Sequence, residues 1–292
     1  MSPAPTGLPE HLANANRTLV MGVLNITPDS FSDGGKWFDS TTAIAHGTEL
    51  IQSGADIIDV GGESTRPGSL RIPVAEELAR VLPAITELAG TGAVISIDTT
   101  RAEVAAQAVA AGALLINDVS GGLADPQMAE VAAQTEAIFV ISHWRGHSAR
   151  MYENASYGDV VVEVCAELSQ SVEAALRAGV GQEKIVLDPG LGFAKGPEHN
   201  WELLRNYQRL ADLGFPLLIG ASRKRFLAEL LTEQWQNDLQ SRDDATAAVS
   251  ALVAQQGAWG VRVHEPASSA AAVRVVGKWQ SLPNPTTQES TQ

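Results

Sequence analysis

Several apolar runs in this 292-residue chain end abruptly in residues that carry hydrogen-bonding or ionic chemistry. Val94-Ile-Ser-Ile-Asp98 ends in a carboxylate, Leu114-Leu-Ile-Asn117-Asp118 in an amide and a carboxylate, and Ile185-Val-Leu-Asp188-Pro189-Gly190 in a carboxylate again. Acids and an amide in such places suit a flat heterocycle with several N–H donors and acceptors. Cations gather at other ends: Arg66 in Glu63-Ser-Thr65-Arg66-Pro67-Gly68, the run Ser222-Arg223-Lys224-Arg225, and Arg262 with His264 in Gly260-Val-Arg-Val-His264. On a strand Arg262 and His264 face one side, an arrangement fit for an anion. The bland role for Asp98 is a helix N-cap. Thr100-Arg-Ala-Glu103 has capping-box spacing, however, so Thr100 is expected to cap and Asp98 to be left for function. Cations opening a helix oppose its dipole by about 0.3–1 kcal/mol each, so a helix running from Ser222 toward Leu231 is expected to hold something negative there.

The elements that must position these groups repeat. A helix stops at a glycine and an apolar strand follows: Gly54 before Asp56–Val60, Gly92 before Ala93–Ile97, Gly112 before Leu114–Ile116, Gly179 before Ile185–Leu187, Gly214 before Leu217–Ile219, Gly257 before Gly260–Val263. Leu19–Leu24 and Ala137–Ile141 complete about eight strands alternating with helices. Short right-handed crossovers then give a parallel sheet, and that number of units closes as a single (β/α)8 TIM barrel, with a doubly wound open sheet as the alternative. The C-terminal strand ends of such a barrel gather at one rim, where active sites sit. Residues 1–16 are expected to be a flexible N-terminal extension, 17–281 the barrel and 282–292 a disordered tail. The loop from Ile26 to Gly35, hinged by Gly34 and Gly35, has the length of a lid.

Composition excludes several classes. The 34 acidic against 20 basic residues give a net charge of −14, which argues against a nucleic-acid partner and means an anionic substrate needs a local cationic cluster. The single cysteine, Cys165, removes intrachain disulfides and cysteine metal sites, and its helical setting suggests a packed thiol. No apolar run reaches membrane-spanning length and no signal segment is evident, so a cytoplasmic location is expected. Gly190-Leu-Gly192-Phe193-Ala-Lys-Gly196 matches neither nucleotide fingerprint, and the histidines lack zinc spacing. Mg²⁺ bridged by substrate phosphates leaves little signature and stays open.

Taken together, Met21–Gly35, Ile57–Gly68, Leu187–Phe193, Ser222–Lys224 and Arg262–His264 resemble, in order, the motifs of the dihydropteroate synthase family, over about Leu19 to Trp279. The resemblance implies a Mg²⁺-dependent, homodimeric (β/α)8 transferase of folate synthesis, the target of sulfonamides. Such enzymes join 6-hydroxymethyl-7,8-dihydropterin diphosphate to 4-aminobenzoate. Carried over by motif, Asp98, Asn117, Asp188 and Lys224 correspond to the pterin-binding groups, with Phe193 beside them. Asn25, Arg262 and His264 correspond to the diphosphate and Mg²⁺ site. Thr65, Arg66, Pro67 and Ser222 correspond to the aminobenzoate side, and Phe31 and Asp33 to the first loop. Trp144 and Glu265 depart from the family's usual residues. The alternatives are a pterin-dependent methyltransferase and a non-catalytic pterin-binding paralogue. Against the first stand the basic turn and Arg262/His264, which have no purpose without a diphosphate.

Overall fold

The computed structural model describes residues 4–27, 40–64, 71–146 and 155–282. The elements run α1 (Glu10–Ala13), β1 (Leu19–Asn25), α2 (Ser40–Gln52), β2 (Ile57–Gly61), α3 (Val74–Gly90), β3 (Val94–Asp98), α4 (Ala102–Ala110), β4 (Leu115–Asp118), α5 (Met128–Thr135) and β5 (Ile138–Ser142). They continue through α6 (Val160–Arg177), β6 (Ile185–Asp188), α7 (Pro197–Arg205), α8 (Tyr207–Ala211), β7 (Leu218–Ile219), α9 (Arg225–Ala228), α10 (Leu239–Gln255), β8 (Gly260–Val263) and α11 (Pro266–Gln280). The eight strands form one parallel sheet in the order β6-β5-β4-β3-β2-β1-β8-β7. A bridge between Leu187 and Leu217 joins its two ends, so the sheet closes into the expected (β/α)8 barrel. The helix-stopping glycines behave as their positions require: Gly54 (φ +102°) and Gly112 (φ +115°) sit in the left-handed region that ends a helix at low cost.

Strand alternation sorts the apolar residues into two cores. Val20, Ile58, Ile95, Ile116, Phe139 and Leu187 point out and pack under the helices. Leu19, Met21, Ile57, Val94, Leu115, Ile138 and Val186 point in, where they fill the N-terminal part of the barrel with Leu12 and Trp259. Residues 4–16, expected to be loose, are tied to this end. Leu12 is buried, Ala4, Leu8 and Ala15 pack against the inner core, and Thr6 N–H donates to Glu183 O at 2.8 Å. The proline and polar residues hid one well-placed leucine.

Two capping details depart from expectation or explain an oddity. Helix α4 begins two residues after Thr100. Its N-cap is Arg101, without a side-chain cap bond, and Asp125 Oδ2 accepts from Ala102 N–H at 2.9 Å instead. Glu265, the residue that departs from the family pattern, caps α11: its carboxylate accepts from Ala267 N–H at 2.9 Å and Ser268 N–H at 3.2 Å. That is the N-cap role a shorter acid or amide would fill.

Candidate active site

On the inward face above the apolar core, the strands carry a buried ionic network. Arg262 of β8 donates through Nε to Asp59 Oδ2 and through Nη2 to Asp98 Oδ2, each at 2.6 Å. Asn117 Nδ2 donates to the same Asp59 oxygen at 3.0 Å. Asp59, Asp98 and Asn117 are all buried, so each charge must be paired to be tolerated. Burial pushes the Asp98 carboxyl up to about 7; Arg262 opposes the shift, and Asp59 adds to it. For Arg262 burial favours loss of the proton, but the attraction of Asp59 and Asp98 outweighs it and holds the guanidinium charged. Two carboxylate oxygens, Asp59 Oδ1 and Asp98 Oδ1, are buried without a hydrogen-bond partner. Orphaned acceptors of this kind cost about 1–3 kcal/mol unless a ligand donor satisfies them.

A second group enters from β6 and the turns after β6 and β7. Lys224 Nζ donates to the Leu191 carbonyl and stands 4.6 Å from the Phe193 ring centroid. Burial pulls its pKa down to about 8, against the attraction of Asp188. Asp188 is itself raised by burial, with Lys224 opposing, and its Oδ1 accepts from Gly190 N–H at 2.7 Å. The Gly190–Gly192 segment is a wrapping turn rather than a phosphate loop. At Gly192 (φ +77°) a Cβ would lie 2.8 Å from Lys224 Cδ, so any other residue would take up a strained backbone and push the lysine aside. Lys195 is buried behind this turn and donates to Gly190 O at 3.0 Å, Phe193 O at 3.1 Å and His143 Nδ1 at 2.8 Å.

Missing side chains show where these groups meet. A Cβ on Gly220 would stand 3.5 Å from Asp188 Oδ2 and 3.9 Å from both Lys224 Nζ and Arg262 Cβ. A Cβ on Gly61 would stand 3.4 Å from Asn25 Oδ1 and 3.6 Å from Asp98 Oδ2. The two groups therefore open onto one mouth. A cavity of about 820 Å³ there is lined by Asn25, Phe193, Ser222, Lys224, Arg262 and His264, among others. Ser222 Oγ accepts from His264 N–H at 3.1 Å and lies 3.0 Å from His264 Nδ1.

The basic turn does not act as three like cations opening a long helix. Helix α9 has four residues, and Arg223 takes a left-handed φ of +57°. Its guanidinium is bound to Asp243 by two bonds of 2.7 Å, while the exposed Arg225 pairs with Glu229 at 2.9 Å. Only Lys224 turns into the barrel. Arg223 and Arg225 stay on the cavity rim with their charges partly answered.

Sequence reasoning also passed over two groups. Asp59 was hidden in Asp56–Val60, read only as an apolar strand, although a carboxylate two residues before the strand end is itself a signal. Lys195 was set aside with the rejected glycine motif. Asp118 is structural, accepting from Ser120 N–H at 2.8 Å and Gly122 N–H at 2.7 Å. Trp144 is half-buried after β5. Phe31, Asp33, Thr65, Arg66 and Pro67 lie outside the described residues.

Among the described residues no three His, Cys, Asp or Glu side chains form a group able to hold a metal ion. One amide oxygen, Asn25 Oδ1, beside a mouth suited to a polyanion does fit Mg²⁺ carried largely by phosphate oxygens.

Residues 21–264 match the pterin binding enzyme family. Among characterised relatives, the dihydropteroate synthase of Mycobacterium leprae is 51% identical over 263 residues, covering 89% of this chain and 93% of that protein. The fold is similar to that of Xanthomonas albilineans dihydropteroate synthase solved with 4-aminobenzoic acid, at TM-score 0.86 and 40% identity over 97% of this chain and 100% of that one. The same enzyme in complex with 7,8-dihydropteroate gives TM-score 0.81 and 39% identity over 91% of this chain and 95% of that one.

Proposed function

Because the chain belongs to the pterin-binding enzyme family, we infer that it is a transferase with dihydropteroate synthase activity. It joins 6-hydroxymethyl-7,8-dihydropterin diphosphate to 4-aminobenzoate in folate biosynthesis, giving 7,8-dihydropteroate and diphosphate. The observation that carries this reading is a set of buried acceptors, Asp98 and Asn117 tied to Arg262 directly or through Asp59 and Asp188 beside Lys224, behind a cavity that Lys224, Arg262 and His264 line.

The floor suits the N–H-rich edge of a pterin, and the mouth suits its diphosphate. We propose an S_N1-like path. The bond from the exocyclic methylene to oxygen breaks and its electron pair leaves with diphosphate. The methylene cation is delocalised into the electron-rich ring. Asp98 opposes the positive charge as it develops, while Arg262 and His264 receive the departing negative charge. The nitrogen of 4-aminobenzoate then bonds to the methylene and loses a proton to water or diphosphate. An aromatic amine needs little activation, so no strong base is required. Asn25 would help hold Mg²⁺, which neutralises charge on the leaving diphosphate when bound. Thr65, Arg66, Pro67 and Ser222 are proposed to receive the aminobenzoate, and Phe31 and Asp33 to shield the cation from water.

Purified protein given Mg²⁺, the pterin diphosphate and 4-aminobenzoate should form dihydropteroate, with chelation abolishing turnover. Binding of pterin without product would favour a non-catalytic paralogue. Methyl transfer from a methylated pterin would favour the methyltransferase reading.

We propose further that the protein works in the cytoplasm as a homodimer. No helix among the described residues is long and apolar enough to cross a membrane. Leu252, Val275, Trp279 and Leu282, exposed on or just after the last two helices, offer an apolar face for a second copy. Light scattering should give twice the mass of one chain, and a monomer at micromolar concentration would contradict this.

A further inference from the structure

The amide of Asn117 has two faces of opposite hydrogen-bond polarity, and which one meets the ligand decides what the floor recognises. The amide sits on β4, whereas Asp59 sits on β2, with β3 between them in the sheet. Their contact therefore spans the barrel interior and is not imposed by strand pairing. Asp59 Oδ2 already accepts from Arg262 Nε at 2.6 Å, and it also accepts from Asn117 Nδ2 at 3.0 Å. A carboxylate oxygen held by a guanidinium can only accept, so it rejects the opposite amide orientation, which would set two acceptors face to face. The consequence lies on the other side of the amide. Asn117 Oδ1 makes no hydrogen bond recorded among the described residues. Asn117 is the direct register partner of Asp98, whose Oδ1 is buried and unpartnered.

We propose that Asp59 is a positioning residue that fixes the hydrogen-bond polarity of the ring-binding floor. By taking the amide N–H of Asn117, it leaves Asn117 Oδ1 turned away from Asp59 as an acceptor. That acceptor admits a heterocycle edge that presents an N–H donor to it and discriminates against one that presents an acceptor. Asp59 does this without itself needing to touch the ligand, and it anchors Arg262 through the same oxygen. The inference rests on the reading that a pterin occupies this floor.

Two substitutions of Asp59 test it. Asp59→Ala removes the acceptor and lets the Asn117 amide turn, whereas Asp59→Asn keeps an amide oxygen where Arg262 and Asn117 donate and places its NH2 at the oxygen that has no partner. Asp59→Ala should weaken binding of 6-hydroxymethylpterin, measured by calorimetry, by roughly tenfold or more, the effect of losing one well-made hydrogen bond. Asp59→Asn should recover most of that affinity. A folded Asp59→Ala that binds as the wild type does, or an Asp59→Asn that loses as much as Asp59→Ala, would overturn the role of Asp59. Should Asp59→Ala not fold, Asp59→Asn alone decides: near-wild-type binding supports the role, and a loss of roughly tenfold overturns it. Wild-type protein that binds no pterin would sink the functional reading as well, and so is told apart from failure at Asp59 alone.

Discussion

The two ends of this barrel are built by the same strands and differ by one step of their alternation. Leu115 and Asn117 share a strand and a face, as do Ile57 and Asp59, and Val94 and Asp98 lie on one inner face with Ser96 between them. At the lower end the inward residues are apolar and closed off by Leu12 and Trp259. Two residues further along β2 and β4, and four along β3, the inward residues are two acids held by a single arginine and an amide bonded to one of those acids. The lower end gains stability from burial. The upper end loses some of it by burying charge and leaving acceptors unanswered. A fold keeps such an arrangement only when the lower end can offset it. Stability and chemistry thus separate along a strand rather than between domains.

Substitutions at the two ends should therefore fail in different ways. The largest effect is expected at Arg262, whose loss leaves Asp59 and Asp98 unpaired. Arg262→Ala should cost about 3–5 kcal/mol of stability, read by denaturant unfolding, and weaken free pterin as well as its diphosphate. A stable variant impaired only toward the diphosphate would show that Arg262 serves the leaving group alone. Leu115→Ala, on the same strand as Asn117, should cost about 2–5 kcal/mol yet leave kcat and KM of the folded fraction near wild type. Altered KM without lost stability would blur the division. Asp98→Asn keeps the shape and removes the charge, so kcat should fall roughly 100- to 1,000-fold, by analogy with other charge-stabilising groups, while substrate affinity changes much less. Equal losses would place Asp98 in ground-state binding.

The smallest effect is the pH dependence. Asp98, pushed up to about 7, must be ionised to oppose the ring's charge, and Lys224, pulled down to about 8, must be protonated beside Asp188. Activity should therefore fall below about 7 as Asp98 takes up a proton and above about 8 as Lys224 loses one. A profile flat from pH 6 to pH 9 would remove both assignments.

Much of the fold was legible because its signals are local. Glycine stops, β-branched runs and polar strand ends each occupy a few residues, and the polar residues that end β3, β4, β6 and β8 were visible from them. What was misread depends on partners distant in sequence. Thr100 loses its capping role to Asp125 because the helix starts later, and Arg223 is turned away by Asp243 on α10. The loose reading of residues 4–16 failed because one leucine in a proline-rich stretch gives no periodicity, yet suffices to enter an open barrel end. Asp59 escaped notice because its meaning comes from Arg262, 203 positions away.

On the proposed path the acidic floor works on a cation formed before the amine attacks. Deuterium on the exocyclic methylene of the pterin diphosphate reports this directly in a single-turnover reaction. A distinctly normal secondary isotope effect is predicted, since that carbon flattens as diphosphate departs. A value at or below one would mean that the amine displaces diphosphate in a single concerted step, and the role given to Asp98 would have to be withdrawn.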